Sequence, residues 1–413
     1  QCHGFTGGAV KSMFGRDGVR LKEHDGNFGA NLSKKGKDLA AFACSLAIAF
    51  NANIGVVDAS VAPLADVGLR EFLVKDGSEL LRLSLPTSLP QSNDPEMSKD
   101  VGKAIQECIE LVRLRLEQVG FSGKTQVWNA SLKESNTAKS LLPKLQAGSP
   151  DMKSDLEVKL DKLNEALRKQ DITSTLKFQE EASDAIGKIR LQSLPQNVLP
   201  FSVPSEYANL PQLRGRASVE CVISKKAGKQ FRLEDGSGTD KVTLELIIDG
   251  YHAPLTAGNF VDLTKRGFYD KMPLKENGEL LVESQDIDFT DPKSKEARRI
   301  PLELFYKKDV KPTYEYTSDD DMRATEGFSL PFQAYGALGM EHDAEDVNTA
   351  SSKFWFLRWD QALVSPGRNT LDGSHSCFGY VVKNQDILKQ VSNGDMIESM
   401  KVVEGIDKLY VPK

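Results

Sequence analysis

From Val101 onward, apolar residues recur at intervals of four and three: Val101, Ile105, Cys108, Val112 and Leu116. They make one apolar stripe on an otherwise charged helix. Asp94-Pro95 supplies the start, a capping carboxylate followed by proline at the first helical position, and Gly120 and Gly123 supply the stop. A second helix is predicted over roughly Lys124–Leu142, ending near Pro143. A third carries Leu156, Leu160, Leu163 and Leu167, and a fourth Ile172, Leu176, Ser183, Ile186 and Ile189. No single stripe can be buried alone, so the four must pack on each other. An antiparallel four-helix bundle with short loops is the simplest arrangement, because Gly and Pro interrupt the heptads of a long coiled coil. Ahead of the bundle, residues 63–92 are transitional, with a short helix predicted near Leu69–Leu83.

Residues 194–214 hold Pro195, Pro200, Pro204 and Pro211 and read as a semi-rigid linker. Beyond it the period shifts from 3.6 to 2. Ser218–Ile223 alternates, and Lys241–Asp249 alternates more clearly with β-branched residues throughout. Gly236-Ser237-Gly238 marks a turn between two early strands. Ala253–Lys265 returns to a helical stripe of Ala257, Phe260, Val261 and Thr264. Short apolar runs follow at Leu280–Val282, Gly336–Met340, Lys353–Leu357, Cys377–Val382 and Met400–Val403. Many short strands with one early helix predict a closed β-barrel capped by helices. The predicted class is therefore multidomain α plus β: a helical bundle over 63–193, the linker over 194–214, and a barrel over 215–413.

Composition changes this picture only at the ends. The 413 residues are 39% hydrophobic and 27% charged, with a net charge of −6. That suits soluble folded units and argues against nucleic-acid binding. Residues 34–62 have a different character: Lys34, Lys35 and Lys37, then the uncharged run Leu39–Phe50, then small residues ending at Ser60-Val61-Ala62. This is the layout of a secretory-type signal, so residues 1–62 are predicted to be a targeting segment that is removed. A signal lying tens of residues into the chain suggests two-stage targeting, as for the chloroplast lumen. A retained anchor and a buried helix are the alternatives. Cys108, Cys221 and Cys377 lie beyond that segment without CxxC spacing, and read as small buried hydrophobes. The sequon Asn129-Ala130-Ser131 carries no weight.

Chemistry is sought next in the second half. The stretch APLTAGNFVDLTKRGFYD, with Pro254, Thr256, Asn259, Phe260 and Tyr269, resembles the first helix of the cyclophilins. Downstream, Ala337–Met340 resembles the strand that ends in Met. Ser351–Phe356 resembles the Ser-Gln-Phe-Phe-Ile strand. Leu371–Val381 resembles Leu-Asp-Gly-x-His-x-x-Phe-Gly-x-Val. The blocks span about 217–405. The order of bundle, linker and cyclophilin unit, with a long insert Phe289–Phe332, is similar to the large cyclophilins of the thylakoid lumen.

The resemblance implies a peptidyl-prolyl cis-trans isomerase. That reaction turns one amide bond over a barrier near 20 kcal/mol and transfers no proton. The implied groove carries over residue by residue. The family's catalytic Arg falls on Lys275, its Gln on Glu283 and its His on His375. The pocket residues fall on Leu280, Leu281, Met340, Trp355 and Leu371. Glu341-His342 replace an Ala-Asn pair, and Thr370 replaces a Trp, so a cyclosporin-type ligand is expected to bind poorly. A lysine does not reproduce the planar Arg fork, and Glu283 is expected to draw Lys275 away from substrate. Peptide binding is thus expected to outlast catalysis. The bland alternatives are a turn histidine at His375, a solvated lysine at Lys275 and a barrel-core Trp355. His252 and Asn259 read as structural, and the acidic stretches at 319–321 and 341–346 as solvated loops. No cofactor or metal is implied. The implied partners are proline-containing polypeptide segments, including subunits of photosynthetic membrane complexes. Besides the enzyme, two other readings stand: a binding scaffold without catalysis, and an adaptor whose bundle contacts partners or covers the groove.

Overall fold

The computed structural model describes residues 76–86, 100–117, 125–233, 235–292, 295–358 and 371–412. The predicted targeting segment, the Asp94-Pro95 helix start and Thr370 lie outside these residues. Ala65–Lys413 forms one compact unit that includes both the helices and the barrel. Among the described residues no helix is long and apolar enough to cross a membrane.

A short helix α1 (Gly77–Leu83) precedes the bundle helices α2 (Val101–Glu117), α3 (Thr125–Leu141), α4 (Pro150–Lys169) and α5 (Ile172–Ser193). Each bundle helix packs on two others, α2 on α3 and α5, and α4 on α3 and α5. Their stripes meet in one core of Ile105, Ile109, Val112, Leu116, Leu156, Leu160, Leu163, Leu167, Ile186 and Ile189. Local signals set the ends. The Ser149 hydroxyl accepts from Met152 N ahead of Pro150, and Asp171 accepts from Ser174 N. Ile172, assigned to the fourth stripe, is instead exposed at the helix start. A polar row also runs through the core: Gln106, Glu110, Ser131, Ser135, Asn164, Thr175, Gln179 and Ser183 are all buried.

The second half has fourteen described strands: β1 (Gln212–Leu213), β2 (Arg216–Ser224), β3 (Phe231–Arg232), β4 (Gly238–Thr239), β5 (Lys241–Asp249), β6 (Met272–Asn277), β7 (Leu281–Ser284), β8 (Glu303–Leu304), β9 (Thr313–Tyr314), β10 (Ala337–Met340), β11 (Phe354–Leu357), β12 (Cys377–Lys383), β13 (Met396–Glu404) and β14 (Leu409–Tyr410). Eight of them close an antiparallel barrel in the order β10-β11-β7-β6-β13-β2-β5-β12. Closure leaves no free edge. Alternation sends Leu244, Leu246, Leu338, Phe354, Phe356 and Phe378 inward, where helix α6 (Pro254–Lys265) caps them with Phe260 and Val261.

The proline-rich stretch is not a free spacer. Its last residues, Gln212 and Leu213, pair with Tyr410 and Leu409. Its aromatics lie on the insert, Phe201 on Phe305 at 5.9 Å and Tyr207 on Tyr314 at 5.4 Å. The insert is in turn tied to α6: the buried Glu303 carboxylate accepts from Leu255 N and Thr256 N, satisfying two N–H groups at the helix start.

Helix α1 joins the two halves. Arginines on α1 itself, on α5 and on β2 hold it. Arg82 on α1 donates to Asp184 of α5 at 2.8 Å and pairs with Glu110 of α2 at 3.4 Å. Arg190 of α5 donates to the Arg82 and Leu85 carbonyls at 3.1 and 3.0 Å. Arg216 of β2 donates to the Leu81 carbonyl at 2.7 Å and the Ser84 hydroxyl at 3.2 Å. Gly77 allows close approach to the barrel, since a Cβ there would sit 2.6 Å from Tyr380 Cβ.

Candidate functional site

The outer face of the barrel is set by the same alternation that fills its interior. On β11, Phe354 and Phe356 point inward, so Trp355 and Leu357 point outward. On β10, Leu338 and Met340 point inward and leave Gly339 outside. Met340 is therefore a core residue, packed in the barrel interior, and does not belong with the groove residues as the sequence reading had it. Trp355 lies opposite Gly339 on one side and Glu283 on the other. Its indole lies flat against Gly339, where any Cβ would collide with the ring. Glu283 is directly opposite Lys275 on β6.

These residues form two zones. The first is apolar: Trp355, Leu357, Ala337, Cys377 and Tyr380 pack with Leu281 and Leu371 at its edge. Phe332, from the end of the insert, stacks on Trp355 at 4.9 Å. Leu80 and Leu81 of α1 join the same cluster. As a result Trp355 has 0% exposure. Leu280, by contrast, is 48% exposed on the β6–β7 turn and stands outside this cluster.

The second zone is charged. Lys275 is exposed and forms none of the described ion pairs. Glu283 is buried and does not take Lys275 as its partner, contrary to the sequence expectation. It faces Lys353 Nζ at 3.5 Å and accepts a hydrogen bond from Asn277. Lys353 precedes Trp355 by two residues and so shares its face. That spacing was available in the sequence and would have found the lysine. Glu341 is half-buried beside Lys353, and burial raises its carboxyl pKa. The buried Trp355 Nε1–H faces that carboxylate without closing a well-formed hydrogen bond.

His375 sits where the zones meet. Its ring contacts the Trp355 edge at 5.7 Å and stacks on His342 at 4.4 Å with a 24° tilt. Its Nδ1 is 3.0 Å from the Ser374 hydroxyl. Burial, helped by the nearby His342 charge, pushes its pKa down to about 4. It is therefore a neutral ring near pH 7. The turn that carries it is held by Asp372, which accepts from Phe332 N at 2.7 Å. His252 and Asn259 stay out of this zone: His252 binds Asp249, and Asn259 binds the Ser351 carbonyl and Arg298. Among the described residues no group of three or more His, Cys, Asp or Glu is placed to hold a metal.

A neutral imidazole set against an apolar wall suits a site that grips a side chain. The sequence comparisons agree. The cyclophilin-type peptidyl-prolyl cis-trans isomerase pattern matches residues 233–409. A protein of Synechocystis described as a thylakoid lumen peptidyl-prolyl cis-trans isomerase is 33% identical over 81% of this chain and 84% of its own. The chloroplastic isomerase CYP38 of Arabidopsis thaliana is 28% identical over 88% of this chain and 82% of its own. Arabidopsis CYP37, also chloroplastic, is 34% identical over 61% of this chain and 53% of its own. The closed barrel, its capping helix and a relative one-third identical across both halves place this chain in the cyclophilin-type peptidyl-prolyl cis-trans isomerase family.

Proposed function

We propose that this protein is a slow prolyl isomerase of the thylakoid lumen that holds proline-containing segments more effectively than it turns them. The observation that carries this reading is the pairing at the charged zone. Lys275 is exposed, and among the described residues it forms no ion pair, on the strand where the family resemblance sets a catalytic Arg. Its neighbour Glu283 is committed to Lys353. A flexible ammonium offers no planar fork to an amide nitrogen that is losing its resonance. Loss of one transition-state donor costs about 10²–10³ in rate. The lumen assignment follows the compartments named for the Synechocystis and Arabidopsis relatives. The proposed clients are proteins folding or assembling there, among them subunits of photosynthetic membrane complexes.

The test is isomerisation of a short Ala-Pro peptide by the whole chain, beside Lys275→Arg/Glu283→Gln. Slow wild-type catalysis with an increase of about 10²–10³ in the double variant is expected. Fast wild-type catalysis would show that lysine serves in this groove, and the slow-enzyme reading would fail.

A second reading is favoured by the burial of Trp355 under Phe332 and the α1 leucines. Here the groove works as a scaffold whose occupant is α1 until a client replaces it. A flat double variant combined with peptide binding after α1 is detached would select this reading.

A further inference from the structure

Both ring nitrogens of His342 face carbonyl oxygens. Nδ1 is 2.8 Å from the Asp343 oxygen and Nε2 is 2.8 Å from the Ser374 oxygen. A carbonyl only accepts. A neutral imidazole has one N–H to give, and the imidazolium has two. The two contacts are therefore complete together only when the ring carries a charge. The face of the ring is also engaged, since it covers His375 in the 4.4 Å stack.

The surroundings decide whether that charge is opposed. His375 stays neutral down to about pH 4, so the stack does not place two cations face to face. Glu341 precedes the ring and Asp343 follows it. Lys353, just ahead of β11, and Glu283 on β7 lie beyond Glu341. Asp372 in the 371–376 turn is turned away to Phe332 N. The charged neighbours are thus three carboxylates and one ammonium.

We propose that His342 is a proton-operated cover on His375. Charged, it bridges the 341–349 loop to the 371–376 turn and keeps its ring on the groove histidine. Neutral, it gives up one of the two carbonyls and the ring swings away. Loss of the ring's second N–H leaves one carbonyl without a donor, so the cover opens as pH rises. The consequence, that proline peptides reach His375 more readily at higher pH, rests on the groove reading above. The cover itself does not.

The test is diethylpyrocarbonate modification of the whole chain at low conversion from pH 5.5 to 8, with the histidines separated by peptide mass spectrometry. The rate at His375 is divided at each pH by the rate in His342→Ala, which removes the pH dependence of the reagent. The expected ratio is about one-tenth or less at pH 5.5, the size of one charge-assisted hydrogen bond, and close to one at pH 8. His342→Phe, which keeps a stacked ring without N–H groups, should protect His375 equally at every pH. It also serves as reference if the alanine variant does not fold. A wild-type ratio that does not change with pH overturns the proposal. A pH-dependent ratio combined with pH-independent proline-peptide binding supports the cover and overturns the groove reading.

Discussion

Arg216 is where the joint between the two halves is most exposed to test. Its guanidinium lies 2.6 Å from Asp249 Oδ2, with exposures of 9% and 0% for the two side chains. The other Asp249 oxygen accepts from Tyr251 N and His252 N at 2.8 and 3.2 Å. Arg216→Met removes the arginine paired with a fully buried carboxylate and also the two bonds to α1. Breaking a buried pair from one side costs about 3–5 kcal/mol, because a charge is left without its partner. Removing both partners costs far less. Arg216→Met/Asp249→Asn keeps a carbonyl oxygen for the two backbone donors and loses only the α1 bonds, so it should recover at least about 2 kcal/mol. Urea unfolding at pH 7 reads both: a slope of about 2–3 kcal/mol per M turns the single loss into a midpoint shift of about 1–2 M. Burial alone would raise the Asp249 pKa, but Arg216 and His252 together hold it well below the usual carboxylate range. Since the folded value lies below the unfolded one, the stabilisation is complete above about pH 5 and disappears as pH falls below it. The wild-type advantage over the double variant should shrink along that course. A single variant that loses less than about 1 kcal/mol, or a double variant no better than the single, refutes this account of the joint.

Other perturbations separate the remaining claims. Gly339→Ala forces the Trp355 indole off the barrel, at a cost of about 1–3 kcal/mol in overpacking, and should shift indole emission to the red; unchanged emission would mean the ring is not held there. Ser131→Ala and Ser135→Ala remove buried hydroxyls without described partners and should each stabilise the bundle by about 1 kcal/mol in thermal unfolding. A loss of stability in both would show that those hydroxyls are bonded. Leu81→Asp places a charge in the apolar cluster and should detach α1, seen as faster hydrogen exchange at Leu80–Ser84 with β2 and β5 unaffected. Equal protection in wild type and variant would sink the role given to this helix.

The elements were legible where period and burial agree. Lys241–Asp249 is one strand as read, because every second residue enters the barrel. The bundle stripes were legible for the same reason. The site was only partly legible, because a motif fixes position along the chain and not the face of the strand. Met340 and Trp355 both lie in resembling segments, yet strand pairing sends one into the barrel and the other out. Glu283 was expected to draw Lys275 to itself, both set by the family resemblance, and the two do face each other across β6 and β7. The pairing failed because Lys353, just ahead of the third strand of the same face, is the cation that reaches the carboxylate.

The docking of α1 on the barrel was hidden for a different reason. Helix α1 has only seven residues, too few to be stable alone in water. A short helix was read near Leu69–Leu83, but where it docks was not legible because its partners are remote: Arg216 lies 135 residues from the Leu81 carbonyl it holds. A helix this short is ordered by what it packs on. Here that is the apolar zone around Trp355, on the face where the family resemblance sets the proline pocket. The same leucines that order α1 complete the burial of that zone, so on the scaffold reading proposed above, order in the helix and access to the groove are one equilibrium. On that reading a proline-bearing client must displace Leu80 and Leu81, while the arginine contacts of α1 stay in place. Those contacts reach both halves: Arg82 reaches from α1 to the bundle, Arg190 from the bundle to α1, and Arg216 from the barrel to α1. Binding at the groove is thereby coupled, on the scaffold reading, to how firmly the bundle sits on the barrel, with a strength set by the difference between what the client and α1 gain on the same surface.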